Sequence, residues 1–294
     1  KDYMQSITWD SANRIESFFI DCFGTDDNDY TRAASKNWWI GMIARVFCPG
    51  CKVDNMVILE SAQGKQKSTA LNVIGGKWYS EVSESVSSKD FYMALQGKLI
   101  LEISELDAFS RAEANTIKKM ITCRTDRFRP PYGRATEDFD RQCILVGTTN
   151  DEHYMKDDTG GRRMWPIKIG EINLDKISKQ RDQLFAEAVA RYKNSETSWL
   201  MPESAALEQE SRRQDDPWEE TIADWLTINQ RSEVRTSEIA IDALKLDIGK
   251  VDKRIQGRIC TVLNVIGLKS RVIWRDGKSI RRWINPLTFD FDSI

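Results

Sequence analysis

The sequence has one histidine, His153, and only six cysteines in 294 residues. Six thiols in so long a chain argue against a disulfide scaffold. Cys48-Pro-Gly-Cys51 has C-x-x-C spacing, but a zinc site needs a second pair or nearby histidines. The expectation is a tight Pro-Gly turn with buried thiols in a reducing cytoplasm. No apolar run approaches 20 residues, so no membrane-spanning helix is expected. The start lacks the basic-then-apolar pattern of a signal peptide. It is Lys1 rather than Met, as in a piece of a longer protein. Neither charge sign dominates: the net charge is −2, which excludes a uniformly basic nucleic-acid binder. Its distribution is uneven, however. Residues 250–282 hold ten Lys or Arg against two Asp, the kind of local patch that DNA-binding modules carry.

What is present is a strand–loop–helix pattern at Val57-Ile-Leu-Glu-Ser-Ala-Gln-Gly-Lys-Gln-Lys-Ser-Thr-Ala-Leu71. An apolar β-branched run enters a polar loop, and a helical pattern follows Lys67-Ser-Thr69. This is the layout of a phosphate-binding loop. Loop N–H groups and the helix N-terminus favour a polyphosphate. Gln63, Gly64 and Thr69 line such a loop, Lys67 reaches the β and γ phosphates, and the Ser68 hydroxyl holds Mg²⁺. The loop is short of glycine. Ser61 and Gln66 stand where G-x-x-x-x-G-K-[ST] has its two glycines, and Gln adopts φ > 0 only at a cost.

Four further segments carry chemistry. Lys98-Leu-Ile-Leu-Glu-Ile-Ser-Glu-Leu106 is a strand ending in acids, suited to Mg²⁺ coordination and to polarising a water. Glu102 and Glu105 are the candidates, and spacing alone does not say which holds metal and which acts as base. Cys143-Ile-Leu-Val-Gly-Thr-Thr-Asn150 delivers Thr148, Thr149 and Asn150 to the C-terminal end of a strand, where open α/β sheets bind ligands. Asn150 there meets a γ-phosphate or orients a water. Asp158-Thr-Gly-Gly-Arg-Arg-Met-Trp-Pro166 projects Arg162 and Arg163 from a tight bend, as an arginine finger does. Arg127-Phe-Arg-Pro-Pro-Tyr-Gly-Arg134 offers Arg129, Tyr132 and Arg134 to single-stranded nucleic acid, with stacking on Tyr132 or Phe128. The bland alternatives are surface acids, a loop-capping Asn, surface arginines and a subunit-interface loop. Each segment is weak when read alone.

Along the chain, residues 1–55 read as helices, including an amphipathic 13–22 stopped near Gly24 and a longer one over 30–47. Residues 56–200 form an α/β core with a largely parallel sheet. Its expected strands are Met56–Leu59, Leu99–Ile103, Cys143–Thr148 and Met164–Ile169, and a helix follows over 171–200. Residues 201–294 form a last domain. It has helices over Trp218–Ile228, Ser237–Leu244 capped by Thr236, and Asp252 to about Ile266. A hairpin turning at Asp276-Gly277 closes it, in a winged-helix-like order.

Together these segments resemble the virulence-associated protein E family, proteins of phages and mobile elements related to superfamily-three helicases within the AAA+ ATPases. The resemblance rests on Ile7-Thr-Trp-Asp10, Cys48-Pro-Gly-Cys-Lys-Val-Asp54, Gln63-Gly64 with Lys67-Ser-Thr69, and Glu102-Ile-Ser-Glu-Leu106. It continues through Phe128-Arg-Pro-Pro-Tyr-Gly-Arg134, Gly147-Thr-Thr-Asn150, Thr159-Gly-Gly-Arg-Arg-Met-Trp-Pro166 and Ser237-Glu-Ile-Ala-Ile-Asp-Ala-Leu244. It implies a P-loop AAA+-type core that binds ATP and Mg²⁺. Lys67, Ser68, Glu102, Glu105 and Asn150 fall in the ATP-site segments, and Arg162 and Arg163 in the finger segment. It also implies a ring, hexameric in expectation, with ATP at subunit interfaces. The implied activity is unwinding or translocation on single-stranded or forked DNA in a bacterial host's cytoplasm. The competing reading is a hydrolysis-deficient nucleic-acid or protein-binding module that retains the fold.

Overall fold

A computed structural model gives the structure of this chain and describes residues 1–82, 89–106, 111–151, 154, 161–212, 216–275 and 277–286. His153, Asp158 to Gly160, Asp215 and Asp276 lie outside the described residues. The chain divides into two compact units, Lys1–Arg213 and Gln214–Ile294.

In the first unit the apolar run at 56–60 becomes β1 (Met56–Glu60), every residue of which is buried. It pairs in parallel with β6 (Ile144–Thr149) on one side and β7 (Met164–Lys168) on the other. β3 (Ile100–Ile103) lies beyond β6, and β2 (Tyr79–Val82) lies at the far edge. The resulting five-stranded sheet has the order β2-β3-β6-β1-β7. A parallel sheet covered on both faces needs apolar side chains on both, which is why these strands read as continuous rather than alternating runs. Val57, Leu59, Ile100, Ile144 and Val146 point into one core. Met56, Ile58, Leu101, Ile103 and Leu145 point into the other.

The first core is closed by α2 (Phe18–Phe23), α3 (Asp29–Phe47), α4 (Lys67–Gly75) and α7 (Leu174–Lys193). Trp38 and Trp39 of α3 sit there against Phe18, with Trp39 edge-on to Phe185 of α7. These aromatics are core. The second core is closed by α5 (Lys89–Ala94) and α6 (Arg111–Thr122) through Phe91, Ile117, Met120 and Ile121. A short helix, α1 (Asp2–Ser6), starts the unit and α8 (Ser204–Glu210) ends it. The strands β4 (Thr125–Phe128) and β5 (Glu137–Asp140) form a separate antiparallel pair.

The structure corrects three local expectations. The helix expected over 13–22 begins only at Phe18. The N–H groups of Arg14 and Ile15 bond instead to the buried Glu187 carboxylate, at 2.6 and 3.0 Å. The Cys48–Cys51 turn closes through the Cys51 N–H on the Cys48 carbonyl at 3.0 Å, but Cys48 is exposed and Cys51 only half-buried. Phe128 is buried and stacked on Phe139 at 4.6 Å, so it is not presented to a ligand.

The second unit holds α9 (Trp218–Ile228), β8 (Glu233–Val234), α10 (Thr236–Glu238), α11 (Lys253–Val265), β9 (Lys269–Arg275) and β10 (Lys278–Ile284). Thr236 is the first helical residue rather than the cap, and the turns after α10, Ile239–Ala243, wind as a π-helix. Asp252 caps α11 by accepting from the Ile255 N–H at 2.8 Å. The three strands form an antiparallel sheet in the order β8-β10-β9. Among the described residues, no helix is long and apolar enough to cross a membrane.

Candidate nucleotide site

β1 is flanked by β6 and β7, while the next strand in sequence, β2, lies at the far edge. Such a reversal opens a crevice beyond the C-terminal strand ends. A cavity of about 260 Å³ lies there, lined by Gln63 to Thr69, Glu81, Ser104, Glu105 and Thr148 to Asn150. The structure thus brings together the phosphate-loop, acidic-strand and Thr-Thr-Asn segments from three separate stretches of chain.

Gln66 stands at the turn into α4 with φ 61° and ψ 29°, in the left-handed region. The loop therefore takes the conformation a glycine would supply there, at a steric cost of about 1–2 kcal/mol. Gly64 bears the other positive φ of the loop, +85°. Ser61 is tolerated differently: its φ is not positive, and its hydroxyl becomes a partner of the lysine.

Lys67 opens α4 and is only 9% exposed. Its Nζ donates to Ser61 O at 2.9 Å, Ser61 Oγ at 3.0 Å, Thr149 O at 3.1 Å and Asn150 Oδ1 at 3.0 Å. An ammonium has three protons to share among these oxygens. An entering phosphate oxygen can take over one of the contacts while the rest hold the side chain in place.

One residue further on, Ser68 Oγ donates to Glu102 Oε1 at 2.8 Å. Glu102 is fully buried at the end of β3, and two more hydroxyls complete its collar. Thr148 donates to Oε1 at 2.8 Å and Tyr79 to Oε2 at 2.6 Å. Burial, together with the carboxylate beside it, pushes the Tyr79 phenol well above its ordinary range, so it stays a donor. A hydroxyl and a carboxylate oxygen in contact are hard donors of the kind Mg²⁺ takes, so Ser68 and Glu102 fit that ion. Glu105 is exposed at the cavity rim with φ 55° and does not join the collar.

A second buried carboxylate supports the strand end. Glu60, 2% exposed, accepts from the Tyr154 hydroxyl at 2.8 Å and from Arg212 Nε at 3.1 Å. Tyr154 follows the segment that carries Asn150, so this bond ties that segment to the strand feeding the loop. Local sequence pattern reveals neither this group nor Tyr79, because their partners lie 23 to 152 residues apart in the chain.

The two arginines are not in this cavity. Met164, the residue after Arg163, pairs with Met56 at the start of β1, whereas the phosphate loop leaves its end. At about 3.3 Å per residue, the strand puts roughly 13 Å between them. Arg162 and Arg163 instead line a separate cavity of about 520 Å³ with Lys52, Asp54, Trp165 and Trp199. The Arg129–Arg134 loop joins β4 to β5, and Arg129, Tyr132 and Arg134 are all exposed, Tyr132 completely.

The sheet order and the loop with its buried lysine define a mixed α/β protein consistent with a P-loop-like core. Residues 4–216 match the virulence-associated protein E-like domain, and the chain belongs to that family. Among solved structures it is similar to the apo A form of the NrS-1 C terminal region (305–718). The TM-score is 0.56 at 15% identity, covering 97% of this chain and 78% of that one. A second apo structure of that region gives a TM-score of 0.53 at 14% identity, with the same coverage. No curated protein matches the sequence.

Proposed function

We propose that the chain is an ATP-dependent DNA helicase or translocase of AAA+ type, acting in the replication of a phage or mobile element. The carrying observation is the pairing of Lys67, held by Ser61, Thr149 and Asn150, with the Ser68–Glu102 contact at the C-terminal sheet edge. Bound Mg²⁺ supplies charge neutralisation at the β and γ phosphates. Around it the chain's own groups divide the work. Loop N–H groups and Lys67 hold phosphate oxygens, and Ser68 with Glu102 forms the metal side. Glu105, free of the collar and facing the cavity, is the base that takes the proton of the attacking water. Asn150 orients that water.

Arg162 and Arg163, at the opposite end of β1, do not serve the site of their own chain in this reading. They act on a neighbour's, which requires a ring with ATP at subunit interfaces, a hexamer in our proposal. The exposed Arg129, Tyr132 and Arg134 contact DNA, and the second unit's helices and hairpin are winged-helix-like. One observation favours a second reading, a hydrolysis-deficient binding module: Gln66 holds a glycine conformation at a steric cost. Strand displacement on a forked DNA separates the readings. ATP-dependent displacement supports the motor. Hydrolysis without displacement leaves an ATPase switch, and neither activity leaves the binding module.

A further inference from the structure

β9 and β10 pair Lys278 with Arg275 through Ile284 with Lys269, so each hairpin face can be read from the register. On one face Ser270, Val272 and Trp274 stand opposite Trp283, Arg281 and Ser279. Trp283, at the base, is buried with Ile259, Val262 and Leu263 of α11. Further out the same face emerges into solvent. Val272 is 63% exposed, Trp274 68%, and Arg281, opposite Val272, is exposed as well. The other face is anchored differently, with Ile273 buried and Arg282 bonded to Glu238 at 3.1 Å.

An exposed tryptophan beside an exposed valine is costly to leave in water unless something covers it. The charge of the two strands says what. They contain six Lys or Arg and no acid. In the same unit, the start of α11 adds exposed Lys253 and Arg254. A cationic ribbon bearing one solvent-facing indole suits a polyanion whose flat, apolar groups are themselves accessible. That describes single-stranded nucleic acid, whose unpaired bases stack on aromatic rings while phosphates meet cations. A duplex hides its base faces, and the acidic side chains of a peptide carry no ring of their own to stack.

We infer that the outer face of this hairpin is a single-strand nucleic-acid contact, with Trp274 stacking on a base and Arg281 meeting the adjacent phosphate. This deepens the proposed function by naming where a strand is held in the second unit. Its test needs no nucleotide, so its failure is distinct from failure of the ATPase reading.

The experiment is fluorescence anisotropy of a labelled 20-nucleotide oligothymidylate, and of a blunt duplex of equal length, against the full chain and three variants. Trp274→Ala is expected to weaken single-strand binding about tenfold, within the span of one lost stacking contact. Trp274→Phe is expected to recover most of that loss. Arg281→Glu is expected to weaken binding and flatten its salt dependence. These side chains are exposed, so the variants should unfold at the wild-type temperature, and Arg281→Glu decides the matter if Trp274→Ala does not fold. Full single-strand affinity in both variants overturns the inference. So does equal loss on the duplex, or a wild-type chain that binds no strand. Dissociation of an oligomer by Trp274→Ala with strand affinity intact also overturns it, because the face would then belong to a second copy.

Discussion

Replacing Asp126 by alanine tests the least exposed ion pair described in the chain. Asp126 lies on β4 and Arg141 just after β5, with side-chain exposures of 0% and 2%. The guanidinium grips both carboxylate oxygens, with Nε to Oδ2 at 3.0 Å, and its third nitrogen bonds the Met120 carbonyl. Burial alone would lower the Arg141 pKa, yet contact with Asp126 raises it above its ordinary value. For the guanidinium, the contact thus outweighs the effect of burial. Removing the carboxylate leaves a buried, uncompensated guanidinium, which costs about 3–5 kcal/mol. For a unit of this size that corresponds to a fall of roughly 10 °C in unfolding temperature. The double variant Asp126→Leu with Arg141→Met removes both charges and should recover most of the loss, since an apolar pair of similar volume is often as stable. Urea denaturation of the wild type and the two variants reads the difference. A loss below about 1 kcal/mol for Asp126→Ala, or a double variant no better than the single, would mean that the buried guanidinium does not depend on its partner. The pair also braces the hairpin that carries Arg129, Tyr132 and Arg134, so the single variant should blunt any contact made there.

Three further outcomes follow from the site and the thiols. Gln66→Gly relieves the left-handed residue at a modest cost in chain entropy, so it should gain about 0.5–1 kcal/mol and tighten nucleotide binding. Unfolding temperature and ATP affinity are the readouts, and a destabilised variant would contradict the assigned φ. Burial pushes the Cys22 and Cys143 thiols up to about 11, while Cys48 is exposed. Mass spectrometry after brief maleimide treatment at neutral pH should find Cys48 modified and those two spared. Because their folded values exceed the unfolded ones, their contribution to stability is full below about pH 8.5 and is lost as pH rises through 11.

Much of the first unit was legible because its central strands are buried on both faces. Met56–Leu59, Leu99–Ile103, Cys143–Thr148 and Met164–Ile169 each match an observed strand to within about a residue. The sheet's edge strand and the separate strand β5 were not legible. Tyr79–Val82 is short and mostly part-exposed, and Glu137–Asp140 is acidic and exposed, so neither carries a strand's apolar period. Residues 14 and 15 looked helical because local pattern cannot register a carboxylate 172 or more residues away. At the site, Lys67, Ser68, Glu102 and Asn150 could be found because each sits at a fixed offset from a recognisable strand end. Tyr79 and the Glu60–Tyr154–Arg212 group could not, since only the folded sheet makes them neighbours. The two acids differ in position, Glu102 lying against Ser68 and Glu105 at the rim.

The most direct test of the central claim is steady-state ATP hydrolysis by the wild-type chain and Lys67→Ala, with and without single-stranded DNA. DNA should stimulate wild-type turnover, and turnover should fall to background in the variant. Equal turnover in both proteins would contradict the assignment of Lys67 and its loop as the phosphate site.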